Sequence, residues 1–260
     1  MQPPDPDIVA RVSARLAQAR SALFITGAGI SADSGLPTYR GVGGLYEDAD
    51  TEEGMPIEVA LSGHMLSLRP EVAWKHIAMV EQACRGARPN RGHEIIARLQ
   101  ERMERVWVLT QNVDGFHGDA GSQNLIEIHG NVHHLRCVEC DYRATVADYS
   151  GLEVPPSCPR CGALVRPDVV LFGEMLSMDK LGRLNREMAQ GFDIVFSVGT
   201  TSGFPYIAAP VLEARARGWI TVEINPGQSE VSEVVEYRLR SGAKDSLEAI
   251  WQHLTGSQGG

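Results

Sequence analysis

Ala22-Leu23-Phe24-Ile25-Thr26-Gly27-Ala28-Gly29-Ile30-Ser31 is the stretch that decides the fold class. A short apolar run leads into glycine, as a strand buried on both faces does. The glycine pair opens a helix-like segment, where main-chain N–H groups and the positive end of a helix can hold a pyrophosphate. The segment departs from Gly-x-Gly-x-x-Gly, because position 32 is Ala and the next glycine is Gly35. A hydride-transferring enzyme also places an acidic residue about twenty positions on, after a second strand. Here that distance holds Gly43, Gly44 and Asp48 in a loop. The reading is a dinucleotide held in a manner other than a dehydrogenase's.

Working outward, helical spacing precedes the strand over 8–20 through Ile8, Val9, Val12 and Leu16. It returns over 70–85 (Ala73, Ile77, Val80, Cys84) and over 92–102 (Ile95, Ile96, Leu99). Apolar runs at 106–110, 125–128, 194–198 and 219–224 are expected to be parallel strands. Helical patterns at 178–190, 204–217 and 245–254 alternate with the later ones. The segment 131–167 interrupts the alternation with short strand-like pieces and turns at Pro155-Pro156 and Pro159. The predicted architecture is α/β: a Rossmann-like doubly wound parallel sheet with a smaller zinc-binding and helical domain inserted. Residues 1–40, 104–130 and 168–260 form the sheet domain, 41–103 a cofactor loop and helical module, and 131–167 a zinc-ribbon-like module. The cleft between them is the default ligand site.

Of the five cysteines, Cys137, Cys140, Cys158 and Cys161 form two Cys-x-x-Cys pairs separated by seventeen residues. This spacing suits a tetrahedral zinc on four thiolates, a closed site with no place for water or substrate, and hence structural. A redox dithiol pair is the weaker alternative, since exchange chemistry needs one pair, not two. Cys84 lies on an apolar helical face and reads as a buried small hydrophobe.

With 24 Lys and Arg against 33 Asp and Glu, the 260-residue chain carries −9 and no basic run, which argues against nucleic acid or an anionic membrane as partner. The 43% hydrophobic content includes no membrane-length apolar stretch, and the start lacks a signal peptide's pattern. The expected location is cytoplasmic.

Two more strands end in polar clusters, Thr110-Gln111-Asn112-Val113-Asp114 and Glu127-Ile128-His129-Gly130-Asn131. Open α/β folds place ligands at such carboxyl ends. His129, set among Gln111, Asn112 and Asp114, has the ordinary pKa to take a proton near neutrality. His93, His133 and His134 lack such a setting and read as surface or packing residues; His117 is a candidate positioner.

Taken together, these residues resemble a sirtuin of bacterial type, an NAD-dependent protein lysine deacylase of the silent-information-regulator family. The likeness rests on 27–41 (GAGISADSGLPTYRG), 111–114 (QNVD), 129–131 (HGN), the cysteine pairs, 170–174 (VLFGE), 199–202 (GTTS) and Asn225-Pro226. The resemblance implies that Gly27, Ala28, Gly29 and Ala32 line the NAD pyrophosphate and adjacent ribose. Thr38 and Arg40 would hold the cofactor loop on the phosphates, and Tyr39 would cover the nicotinamide–ribose bond, where the family usually has Phe. Gln111, Asn112 and Asp114 would surround the nicotinamide ribose and carboxamide. Gly199, Thr200, Ser202, Asn225 and Ala243 would take the adenine side, and Phe172, Gly173 and Glu174 would offer main chain to an extended substrate peptide.

In the implied reaction the acyl-lysine oxygen attacks the ribose carbon as nicotinamide leaves. His129, with Asn112 and Asp114, then serves the attack of a ribose hydroxyl on the acyl carbon. Relatives that prefer succinyl or malonyl groups carry Tyr-x-x-Arg on a helix, and the equivalent positions here are Ile77 and Val80. An uncharged acyl group is therefore expected. Gly203-Phe204-Pro205-Tyr206 departs from the family's small aliphatic residue before Pro. An ADP-ribosyltransferase or NAD glycohydrolase on the same fold is the alternative reading; an NAD-sensing module and a dehydrogenase are less favoured.

Overall fold

A computed structural model describes residues 2–37 and 50–256. In chain order the elements are α1 (Pro6–Gln18), β1 (Ser21–Thr26), α2 (Ala28–Ser31), a 3-10 turn (Ala32–Ser34), α3 (Ile57–Ala60), α4 (Gly63–Leu68), α5 (Pro70–Cys84), α6 (Arg91–Arg102) and β2 (Arg105–Thr110). Then come α7 (Phe116–Asp119), β3 (Leu125–Glu127), β4 (Gly130–Cys137), β5 (Arg143–Thr145), β6 (Val165–Val169), α8 (Met178–Gln190), β7 (Ile194–Val198), α9 (Pro205–Ala216), β8 (Ile220–Ile224), β9 (Tyr237–Leu239) and α10 (Ala243–Gly256).

Local chemistry sets several of these boundaries. The Asp5 carboxylate accepts from the N–H groups of Asp7 and Ile8, and Pro6 stands in the first turn, so α1 starts there. At α6 the Asn90 side chain accepts from Gly92 N–H while His93 Nδ1 accepts from Asn90 N–H, a reciprocal cap that anchors a buried histidine.

The main sheet has six parallel strands in the order β3-β2-β1-β7-β8-β9. Ala22 and Phe24 of β1 face a core shared with α1, α6 and α10, whereas Leu23 and Ile25 face a core shared with α8 and α9. This is why the run at 22–26 is apolar without alternation. Phe24 stacks on Phe196 at 4.5 Å between ring centroids, and burying such a ring stabilises the fold by about 1.5–3 kcal/mol. The sheet grows outward from β1 to β2 and β3 on one side and through β7 to β8 and β9 on the other. Thr26 pairs with both Thr110 and Val198, so the loops leaving β1, β2 and β7 diverge from one crevice.

A second sheet, antiparallel β5-β4-β6, holds the cysteine segment. Helices α3 to α5 share one apolar core with it, centred on Trp74, whose indole N–H donates to Val165 O at 3.0 Å. Among the described residues no helix is long and apolar enough to cross a membrane. The sheet has one strand more than the sequence pattern suggests: β9 is three residues long, too short for a period to register.

Candidate active site and metal centre

At the carboxyl edge of the main sheet opens a cavity of about 650 Å³, bounded by the loops after β1, β2, β7 and β8, by α5 and by the segment after β6. Its floor is main chain. A Cβ on Gly29 would fall 2.6 Å from the Gly199 Cα, and Gly199 itself sits at φ +58° with its missing Cβ aimed at the Ile30 nitrogen. The two loops therefore close on each other only because both are glycine. Gly27, Ala28, Gly29, Ala32, Gly199 and Thr200 all line the cavity, which gives a phosphate-bearing ligand peptide groups at close range.

Beside this floor lies a narrow recess in which Ser31, Asn112 and Asp114 face apolar walls of Ala28, Leu36, Pro37, Val80, Ala83 and Cys84. Asp114 accepts from Ser31 Oγ at 2.7 Å and from Phe116 N–H at 3.0 Å. Burial nevertheless raises its pKa above the ordinary carboxylate value. Asn112 donates through Nδ2 to Gly27 O and Ser31 Oγ, while its Oδ1 is buried without a partner. An orphaned acceptor at this depth fits a ligand that brings an N–H donor, as a carboxamide does. Gln111 stands nearer the mouth, its amide donating to Thr200 Oγ1 at 2.7 Å. Cys84 borders the recess, but burial pushes its thiol up to about 12, so it stays a protonated, inert hydrophobe.

His129 sits between the two sheets. Gly130 follows at φ +89°, where any Cβ would meet Asp168 O, and Val170 N–H donates to His129 O. This glycine pins the histidine to the edge where β4 meets β6. His129 Nδ1 lies 3.0 Å from Gln111 O. A carbonyl oxygen only accepts, so Nδ1 carries the proton and Nε2 presents a lone pair. Burial lowers the imidazole's pKa below 6.5, so it stands neutral at physiological pH, the state a general base requires.

His93 and His117 are packed beneath the site. His117 Nε2 meets Thr26 Oγ1 at 2.9 Å, and the two imidazoles lie edge to face. Burial lowers the pKa of His93 to about 4 and that of His117 well below 6.5. Above pH 6.5 both rings are neutral whether the chain is folded or not. Below it the unfolded chain takes up protons that the folded protein refuses, so stability falls with pH. His93 alone accounts for a loss of about 3 kcal/mol by pH 4. Chemical denaturation from pH 7.5 to 4.5 should show this decline; a flat series would contradict it.

At the other end of the cavity, Asn225 donates to Thr200 O at 2.9 Å and Ala243 opens α10 against the cleft. Ser202 is not on the wall: it is buried, in left-handed backbone at φ +53°, with its Oγ turned to Ser197, and Thr201 faces the cavity in its stead. Phe172, Gly173 and Glu174 line the mouth. Phe172 is not free to pair along its whole main chain, because its N–H donates to Leu61 O and its carbonyl accepts from Gly63 N–H. Glu174 N–H donates to Leu171 O, and the carboxylate is gripped by the buried Arg166, so this residue anchors the turn. Thr38, Tyr39 and Arg40 lie outside the described residues.

The sequence pattern does not reveal Leu61 and Asp33, which also line the cavity, while Phe204 and Tyr206, conspicuous in the sequence as a departure from the family's pattern, stand on its wall. Ile77 and Val80 reach it from α5, although their spacing reads as plain core. His133 and His134 stay outside it.

The four cysteine sulfurs converge in a group within 4.8 Å of one another. Cys137 and Cys161 are 3.5 Å apart, and Cys140 lies 3.6 Å from both Cys158 and Cys161. Zinc–sulfur bonds of about 2.3 Å in a tetrahedron require sulfurs roughly 3.8 Å apart, so the set fits this ion. Glu139 and Arg160 N–H groups donate to Cys137 and Cys158 Sγ, as suits thiolate acceptors. No cysteine of this group is among the described residues lining the cavity, so the cluster stands apart from the site.

A family model described as the Sir2 family matches residues 27–204. The chain is similar to the NAD-dependent protein deacylase 2 of Pseudomonas aeruginosa, with 49% identity over 95% of this chain and 97% of that protein. A solved Sir2 homologue in complex with NAD superposes with a TM-score of 0.85 at 32% identity, covering 95% of this chain and 94% of that one. A Sir2–p53 peptide–NAD+ complex superposes at 0.79 with 27% identity, over 95% and 98% respectively. With its glycine floor, central histidine and four-cysteine cluster, this chain belongs to the Sir2 family.

Proposed function

We propose that the protein is an NAD-dependent protein lysine deacylase with a preference for uncharged acyl groups, producing free lysine, nicotinamide and 2′-O-acyl-ADP-ribose. The observation that carries this reading is a neutral histidine whose Nε2 is an acceptor, set in one cavity with a main-chain phosphate floor and a recess holding an orphaned amide oxygen. NAD, as co-substrate, supplies a ribose carbon whose bond to nicotinamide is exchanged for one to the acyl oxygen. The glycine loops hold its pyrophosphate, Gln111 and Thr200 border the sugar, and Asn112 Oδ1 and Asp114 receive the carboxamide end. Asn225 and Ala243 border the adenine side; Ser202 acts from behind, its N–H donating to Thr200 Oγ1 and so fixing that loop. His129 takes the proton from a sugar hydroxyl. Thr38, Tyr39 and Arg40 keep their proposed contacts with the phosphates and the nicotinamide ribose.

The substrate is an acylated lysine in an extended peptide. Gly173 is the main-chain pairing point at the mouth, since the neighbouring groups of Phe172 and Glu174 serve the protein itself. We place the enzyme in the cytoplasm, where four thiolates are expected to hold metal rather than form disulfides.

Ile77, Val80, Leu61 and Val132 make the inner wall apolar, and no arginine or lysine is among the described residues lining the cavity. A succinyl carboxylate would be buried there with no counter-ion among the described lining residues, at a cost of several kcal/mol. Peptides bearing acetyl-, butyryl- and succinyl-lysine, assayed with NAD by mass spectrometry, test both points. Nicotinamide should appear one for one with deacylated acetyl or butyryl peptide, with succinyl-lysine at least about tenfold poorer in kcat/KM. Nicotinamide release at the same rate without peptide would favour an NAD glycohydrolase, and equal use of succinyl-lysine would overturn the apolar-acyl preference.

A further inference from the structure

His129 Nε2, the atom the reaction needs, already has a partner. Tyr206 Oη lies 2.7 Å from it. Because Nδ1 is committed to Gln111 O as a donor, Nε2 is an acceptor and the hydrogen in this bond is the tyrosine's. The phenol is fixed by its surroundings. Tyr206 enters the first turn of α9 beside Pro205, its ring stacks on Phe204 at 5.3 Å and 13°, and both rings meet the imidazole edge to face at 5.8 Å. Burial raises the phenol's pKa to about 12, so it keeps its proton at working pH. Tyr206 is itself on the cavity wall. Its oxygen has lone pairs to accept a second hydrogen bond while it donates the first.

An imidazole nitrogen has a single lone pair. While the Tyr206 bond stands, no substrate hydroxyl reaches Nε2 except through Oη, and breaking a short bond between two half-buried groups forfeits the energy of that bond. Joining the chain of hydrogen bonds costs nothing of that kind. We propose that Tyr206 is the outer member of a two-residue proton relay, a further catalytic residue that touches the substrate hydroxyl on behalf of His129. The inference rests on the deacylase reading. In the step, the hydroxyl's O–H bond breaks and its proton passes to Oη as the Oη proton passes to Nε2. The hydroxyl oxygen keeps the electron pair with which it attacks the acyl carbon, and tyrosine ends neutral.

The groups that face this pair are few. Lys180 of α8 disfavours charge on the imidazole and donates to Glu127 O, two residues upstream on the same chain segment. Glu174 and Asp33 lie elsewhere on the cavity wall, the former paired with Arg166.

Tyr206→Phe preserves the ring stack and removes only the hydroxyl. The relay requires acyl-lysine turnover to fall about tenfold or more in kcat, with KM for NAD within about twofold, and requires the same change to have no further effect in a His129→Ala background. Independently of activity, the nitrogen-15 signal of His129 Nε2 should move toward that of an unbonded pyridine-type nitrogen in Tyr206→Phe. An unchanged Nε2 signal would show that the bond is absent and overturn the proposal. A shifted signal with undiminished turnover would overturn it too, making the phenol a cap that substrate displaces. If instead the wild-type protein releases no nicotinamide with any acyl peptide while the signal still shifts, the deacylase reading has failed, the relay step with it, and only the Tyr206–His129 bond survives.

Discussion

Replacing His129 by alanine is expected to cut acetyl-lysine turnover by about 10²- to 10⁴-fold, the range lost with a general base. The fold should survive the change. His129 is held in place by main chain, with Val170 N–H donating to its carbonyl and Ile128 N–H to Thr110 O, while the side chain contributes its bonds to Gln111 O and Tyr206 Oη and edge contacts with the Phe204 and Tyr206 rings. Binding of NAD should be little affected, since the glycine loops that form the floor do not contact the ring. The measurements are kcat/KM on an acetylated peptide, a thermal melt and NAD titration of the variant. Near wild-type turnover by well-folded His129→Ala protein would remove the histidine from the reaction.

Loss of metal is the second large effect, and it is expected to act at a distance. Structural zinc on four thiolates is worth roughly 10–16 kcal/mol of apparent binding free energy in small isolated modules, where it is also the folding free energy. Here Cys137 and Cys158 belong to the same apolar core as Trp74, Tyr149, Val132 and Leu171. Val132 and Leu171 also line the active-site cavity. Opening the cysteine cluster should therefore slacken one wall of the cleft although no thiolate reaches it. Purified protein should hold one zinc ion per chain. Exhaustive chelation or Cys158→Ser should expose the segment 131–167 to protease and abolish deacylation, with the main sheet retaining its helical and strand signal. Metal-free protein with unaltered protease resistance and turnover would rule this out.

The sheet was legible because a strand buried on both faces is mostly apolar, as the runs of β1, β2 and β7 are, whereas β8 interrupts its apolar run with the buried Thr221 and Glu223. What leaves no mark on the sequence pattern is short or paired through others' backbone. β9 has three residues, and α3 and α4 are single-turn or barely longer helices set by the apolar core they share with Trp74. In the site, the glycines, the asparagine and the histidine stand at strand ends, where polar residues after apolar runs are conspicuous. Tyr206 and Phe204 gave only a departure from pattern, because their approach to His129 depends on the turn through Ser202 and Gly203. Phe172 illustrates the opposite error. Its main chain reads as available in the sequence, yet the pairing with Leu61 and Gly63 is a contact across more than a hundred residues that no local spacing can announce.

The mutual contact of the Gly29 and Gly199 backbones carries a consequence for how such an enzyme can diversify. Where a ligand rests on peptide units, no exchange of side chain alters its complementarity without prying two loops apart, so that end of the molecule is closed to gradual retuning. The far end is finished in the tips of Ile77 and Val80, which single-base changes can lengthen, shorten or charge. Inherited variation, and laboratory selection alike, should accordingly change what is removed from lysine far more readily than the nucleotide that receives it.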